Sequence, residues 1–189
     1  WRLVTALNKD TPPSDSEPFL VGISRGGCKP YGQTPGCPYE RLAKSSGYLD
    51  QIFSRIIYVQ AGSSLLSGED FKRNNIETVV QFLESLATNV SVSWLGPRVE
   101  PNIDPRRFVR LGCEQIQPFD HPHGRRIKRL NDYISTSLET SIVTYISNDA
   151  VDLPAYGNCE ALFWRDSNHW SPAGIDRISS KIKLIDLVE

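Results

Sequence analysis

The sequence predicts an α/β fold: a three-layer α/β/α sandwich built on a parallel sheet. Three observations carry that reading. Short apolar runs rich in β-branched residues recur along the chain and end in Gly or Ser, the profile of buried strands. Between them lie longer segments whose apolar residues repeat at helical spacing. The two types alternate, and alternation makes the strands parallel with helices on both faces. Ligands in such folds bind beyond the carboxyl ends of the strands.

Taken in order, Trp1, Val4 and Leu7 fall on one helical face with no residue before them to cap a helix. An α/β fold normally opens with a strand. The expectation is therefore a chain that begins inside its first helix, with the first strand missing. Thr11 to Pro18 reads as a short Pro/Ser/Asp loop. Pro18 to Ser24 (PFLVGIS) is a strand-like run, and Arg55 to Ala61 (RIIYVQA) is the next. Phe71 to Thr88 follows as a helix with Ile76, Val79, Val80, Leu83 and Leu86 on one face. Val90 to Gly96 (VSVSWLG) returns to strand. Arg125 to Leu138 is helical through Ile127, Leu130, Ile134 and Leu138, and Ile142 to Ser147 (IVTYIS) is the last strand. Ile175, Ile178, Ile182 and Ile185 stripe a C-terminal helix that Ser171 caps, with Pro172 at its first position. No internal repeat, low-complexity tract or domain-scale linker breaks this order. The 189 residues read as one domain, 1–189, with a substantial core.

Composition narrows the function classes. A hydrophobic share of 39%, a charged share of 23% and a net charge of −1 describe a soluble globular protein. They give no electrostatic case for nucleic acid. No run reaches transmembrane length and no signal-peptide pattern is present. The chain has no Met, which fits a fragment, a processed chain or an excised domain.

Four cysteines are present: Cys28, Cys37, Cys113 and Cys159. Cys28 and Cys37 flank a Pro/Gly-rich loop suited to a local disulfide, a closure that stabilises by roughly 2–3 kcal/mol. Cys113 and Cys159 would then form a long-range pair, and the compartment would be oxidising. Four free thiols in a reducing compartment is the other reading. A zinc site lacks the C-x-x-C or Cys/His spacing it needs.

The segment richest in chemistry is Asp166-Ser167-Asn168-His169-Trp170-Ser171-Pro172-Ala173-Gly174. A serine hydroxyl is a poor nucleophile at neutral pH. It needs an imidazole to take its proton and a carboxylate to fix the imidazole tautomer. A D-x-x-H spacing on one loop lets the carboxylate reach Nδ1 while Nε2 faces a nucleophile. Asp166 and His169 are thus the candidate catalytic pair.

This block resembles the last motif of SGNH (GDSL-type) hydrolases, in the variant D-x-x-H-[LW]-S-x-x-G of SGNH domains attached to acyltransferase-3 membrane O-acetyltransferases. Other segments resemble the family in order. Gly26-Gly27-Cys28-Lys29-Pro30 is similar to the Cys-Pro loop after strand two, and Ile56 to Ser64 to the third-block strand and its loop. Trp94-Leu95-Gly96-Pro97 resembles the strand and Gly-Pro before the fourth loop, and Asn158 to Phe163 the run into the catalytic block. The resemblance implies an SGNH/flavodoxin-like sandwich and a Ser-His-Asp triad that transfers or removes O-acetyl groups on a surface carbohydrate. It requires no cofactor and no metal. It also implies a membrane acyltransferase domain upstream and a periplasmic or other extracytoplasmic location, tethered to the inner membrane.

Two motifs depart from the family. The family nucleophile lies in a Gly-Asp-Ser at the end of strand one, and none is present. Ser14-Asp15-Ser16 lacks the Gly, follows two prolines and precedes a strand. The expectation is that the Ser lies upstream of Trp1 and that the chain alone is inactive. The third block usually reads G-x-N-D, its Asn an oxyanion donor; here it is Gly62-Ser63-Ser64-Leu65. The Gly62 backbone N–H remains a donor, and the Ser64 hydroxyl is the candidate substitute for the Asn amide.

Arg98 and Glu100 follow a strand end near the expected site, so both are candidates to line the substrate groove, with Trp170; surface residues of a turn are the alternative reading of the Arg98–Glu100 pair. Trp94, Trp164 and Trp170 are sugar-stacking or core residues. His121 and His123 sit in a Pro/Gly loop with no further metal ligand spaced to help. Arg125, Arg126, Lys128 and Arg129 read as a solvated helix face or a glycan contact. Asn89-Val90-Ser91 matches a glycosylation sequon. Two rivals use the same residues: a stand-alone carbohydrate esterase with water as acceptor, and a degenerate, non-catalytic domain that binds glycan or supports a partner.

Overall fold

The computed structural model describes residues 20–23, 27–32, 35–100, 122–148, 157, 160–166 and 169–180. The chain divides into two units, one of Ile23–Pro97 and Lys128–Ser147, the other of Trp1–Gly22, Arg98–Ile127 and Asn148–Glu189.

The first unit is built on a parallel sheet. Helix α1 (Pro38–Lys44) and a 3-10 turn (Ser46–Gln51) lead to strand β1 (Arg55–Val59). A 3-10 turn (Gly62–Ser64) and a hairpin of β2 (Leu66–Ser67) and β3 (Asp70–Phe71) lead to helix α2 (Arg73–Ala87) and strand β4 (Ser91–Leu95). Helix α3 (Pro122–Leu138) precedes strand β5 (Thr144–Ile146), and Lys128 begins its share of this unit. The strand order is β1-β4-β5, all parallel, with Tyr58 opposite Trp94 and Trp94 opposite Tyr145. A parallel sheet flanked by helices is the α/β arrangement that the alternation of runs predicts.

Sequence chemistry explains each element. In β4, Val92, Ser93 and Trp94 are all buried, as befits a central parallel strand covered on both faces. In α2, Ile76, Val79, Leu83 and Leu86 form the buried stripe and Val80 is half-buried at its flank. In α3, Ile127, Leu130, Ile134 and Leu138 are buried, the four positions that the spacing selects.

Several elements differ from expectation. Helix α2 starts at Arg73 because Asp70 and Phe71 pair with β2 across a turn at Gly68, whose φ of 56° is open to glycine without a steric cost. Helix α3 starts at Pro122, since proline's fixed φ suits a first helical position; Pro122 and Gly124 mark a helix start rather than a loop. Helix α1 escaped the periodicity reading because it has no buried residue. Of the run Pro18 to Ser24, the described part, 20–23, carries no strand, and Val21 and Ile23 are 61% and 52% exposed.

The second unit is described through helix α4 (Pro172–Ser179), two isolated antiparallel bridges, Gly157 with Leu162 and Trp164 with Trp170, and buried Phe163, Trp164, Ile175 and Ile178. The Trp1–Leu7 face, Ser14-Asp15-Ser16, Cys113, Cys159, His121 and the Ile182–Ile185 end of the last stripe lie outside the described residues. No helix among the described residues is long and apolar enough to cross a membrane.

Candidate active site

The loop that carries Asp166 and His169 is shaped by its own backbone. The Arg165 N–H donates to the His169 carbonyl at 2.8 Å and the Ser171 N–H to the Phe163 carbonyl at 2.9 Å. With the Trp164–Trp170 bridge, these bonds close a narrow neck. Ser171 then starts α4. Its Oγ donates to the Leu162 carbonyl at 2.5 Å and accepts the Gly174 N–H at 3.1 Å, satisfying one of the open donors of the helix start. Gly174 faces the Phe163 carbonyl so closely that a Cβ there would overlap it. The Ser and Gly of the S-P-A-G continuation are thus a cap and a close-approach point.

Inside the neck, one oxygen orients the imidazole. Asp166 Oδ1 accepts the His169 backbone N–H at 2.8 Å and lies 2.9 Å from His169 Nδ1. An ionised carboxylate only accepts, so Nδ1 carries the proton and Nε2 keeps its lone pair. The His169 side chain is 61% exposed and that of Asp166 34%, so Nε2 is open to a reactant. Arg165 Nε is 3.4 Å from Asp166 Oδ2. The sequence-predicted pair is brought together in the tautomer that a general base needs.

Arg98 belongs to the same unit. Its guanidinium carbon lies 4.4 Å from the Trp170 ring centre and 5.6 Å from that of Trp164, whose own centres are 6.1 Å apart. Trp164 is buried and Trp170 half-buried. Glu100 is 2% exposed, so it is not a residue of a turn surface. His123 is buried within the first turn of α3, its Nδ1 3.4 Å from an Arg126 nitrogen.

Gly62 and Ser64 lie in the other unit. Gly62 opens the 3-10 turn after β1, and an N–H at such a start has no partner inside the turn. Ser64 Oγ donates to the Ala61 carbonyl at 2.6 Å and accepts from Gln60 Nε2 at 2.7 Å. The Ser64 hydroxyl proton is therefore engaged with backbone. Gln60, which sequence reasoning passed over, organises this turn. It is buried, accepts from the Tyr58 hydroxyl and donates to the Tyr31 hydroxyl at 2.9 Å. Its signal was a lone amide closing an apolar strand. Burial first, with Tyr39 and Tyr31 adding to it, pushes the Tyr58 hydroxyl far above the usual phenol range.

Cys28 and Cys37 form a disulfide, with Cα atoms 5.6 Å apart. In this unit a cavity of about 590 Å³ is lined by residues including Lys29, Pro30, Cys37, Tyr39, Arg41 and Phe82. Trp94 is core. Of the basic cluster, Arg125, Lys128 and Arg129 are exposed and Arg126 half-buried. Among the described residues no three His, Cys, Asp or Glu side chains converge as a metal site.

Comparison with known proteins gives one informative likeness. A scan against protein-family models and a search of curated proteins find no match. Among solved structures, the chain is similar to the periplasmic domain of a lipopolysaccharide acetyltransferase from Salmonella ser. Paratyphi A, with a TM-score of 0.56 and 13% identity. The match covers 79% of this chain and 61% of that one, so the chain spans less than two thirds of the domain it resembles. The chain has the fold of that acetyltransferase domain.

Proposed function

We propose that this chain is part of a single SGNH-type domain that transfers or removes O-acetyl groups on a surface carbohydrate, in an extracytoplasmic compartment and beside a membrane acyltransferase domain. The observation that carries the proposal is the Asp166–His169 pair, Nδ1 on Oδ1 at 2.9 Å and the ring otherwise open. The fold shared with the acetyltransferase domain and the Cys28–Cys37 disulfide support it.

In this reading a Ser from a Gly-Asp-Ser motif supplies the nucleophile. Its Oγ attacks the acyl carbonyl carbon as its proton passes to His169 Nε2. Asp166 stabilises the imidazolium without taking the proton. The Gly62 N–H is a donor to the oxyanion. Collapse expels an alkoxide, which takes the proton back from His169. An acceptor hydroxyl or water then repeats the sequence on the acyl-enzyme. No metal or organic cofactor is needed.

A non-catalytic, glycan-binding domain is the second reading. It draws on Ser64, whose hydroxyl proton is bound to Ala61 where the family motif has a donor amide. The deciding experiment expresses the full-length gene product and this 189-residue chain, and assays acetyl-ester hydrolysis and acetyl transfer to glycan. The proposal expects activity in the first, loss of it on His169→Ala, and none in the chain alone. Undiminished activity in His169→Ala would refute the triad, and a full-length product with glycan binding but no turnover would establish the second reading.

A further inference from the structure

We propose that Arg98 is a positioning residue for His169, acting through the indoles of Trp170 and Trp164. The inference builds on the reading of Asp166 and His169 as a catalytic pair, but its central test does not depend on turnover.

The physical problem is that His169 is 61% exposed, so packing alone does not fix its ring. Two things do: the two bonds to Asp166 Oδ1, at 2.8 and 2.9 Å, and the neck that sets where residues 165 and 169 lie. The neck is one bridge wide, Trp164 against Trp170, with the Arg165 N–H on the His169 carbonyl. Trp170 is the residue next to His169, so any swing of its backbone carries the imidazole with it.

Trp170 is not held by its polar edge. Its indole N–H is buried without an acceptor among the described residues. It is held by its face: the Arg98 guanidinium lies 4.4 Å from the ring centre and 5.6 Å from that of Trp164. A planar cation beside two neighbouring rings is attracted to both quadrupoles, and arginine does this better than lysine because its charge is flat and weakly hydrated. Arg98 thus bridges the two residues that close the neck. A catalytic base displaced by about 1 Å loses on the order of 10²-fold in rate, so a clamp at this point is worth having.

The test reads the imidazole directly. Nitrogen-15 NMR of the 189-residue chain, with the His169 signals identified through His169→Gln, is expected to show Nδ1 protonated and Nε2 bare. In Arg98→Met, which keeps length and loses the charge, protonation shifts toward Nε2 while the amide spectrum of α4 stays native. Arg98→Lys falls between the two. If Arg98→Met does not fold, Trp170→Leu removes the ring and serves the same comparison. Unchanged His169 nitrogens in a folded Arg98→Met or Trp170→Leu chain overturn the proposal. In the full-length protein, Arg98→Met is expected to lower kcat by about 10²-fold with KM changed by less than about threefold. A large rise in KM with kcat intact would mean that Arg98 binds substrate instead. Failure of the catalytic reading shows separately, as activity that survives His169→Ala.

Discussion

Gly174 and Phe163 meet backbone to backbone, the α-carbon of one facing the carbonyl oxygen of the other with no room for a Cβ. The contact docks the first turn of α4 onto the strand-like segment that enters the candidate loop. Gly174→Ala must push the two apart, at a cost of about 1–3 kcal/mol. Urea unfolding measures it, and the loss should exceed that of Ala173→Gly, a substitution at the half-buried neighbouring position. Equal losses would mean the contact is not tight.

Asp166→Asn keeps size and reverses one polarity. An amide whose oxygen keeps both His169 bonds carries no charge to stabilise the imidazolium, and one whose NH2 turns to Nδ1 forces the proton to Nε2; either way the base is impaired. If the full-length protein is an acyl-transfer enzyme, kcat should fall on the order of 10⁴-fold with the fold intact. A loss under about tenfold would indicate that Asp166 only shapes the loop.

Gly96 ends β4 under a small polar bolt. The Tyr145 hydroxyl donates to Asn131 Oδ1 at 2.8 Å, and Asn131 Nδ2 donates to the Pro97 carbonyl at 2.8 Å. A Cβ at Gly96 would collide with the Tyr145 hydroxyl and approach Asn131 Oδ1 to 2.6 Å. Asn131→Leu removes both bonds and should cost about 1–3 kcal/mol. Gly96→Ala in the Asn131→Ala background should cost less than in the wild type, because the two share one space. A double-mutant cycle checks the coupling.

Tyr58 gives the fold an alkaline limit. Its hydroxyl proton is held in the folded state far above the usual phenol range, chiefly by burial. Because the folded pKa exceeds the unfolded one, this contribution is complete below the unfolded value of about 10. It declines as pH rises past that point, where the unfolded chain releases the proton first. Unfolding free energy should therefore drop between about pH 10 and 11. Tyr58→Phe should flatten that drop, at the cost of the bond to Gln60 at neutral pH. An identical alkaline slope in Tyr58→Phe would place the titration elsewhere.

The long elements were legible because their chemistry is periodic. Ile76, Val79, Leu83 and Leu86 select a helix and a face, and Val92 to Trp94 select a buried strand. Asp166 and His169 were legible because D-x-x-H needs only a local turn to bring the groups together. What stayed hidden depends on partners distant in sequence or on short elements. The two-residue strands β2 and β3 carry no period. Leu20 to Ile23 reads as a strand by composition, yet carries none. Gln60 becomes meaningful only once the Tyr31 hydroxyl, 29 residues away, is there to accept its amide N–H. The rings that Arg98 meets stayed hidden because position after a strand says nothing about them.

β4 is hydrogen-bonded along both edges and buried on both faces, whereas the neck at Trp164 and Trp170 is a single bridge. Amides of the first kind exchange with solvent only when the whole unit opens, and those of the second exchange through local fluctuation. The scaffold and the candidate machinery therefore run on separate clocks. Deuterium uptake at Trp94 reports how stable the fold is, while uptake at Arg165 and His169 reports how much of the time the base is in place.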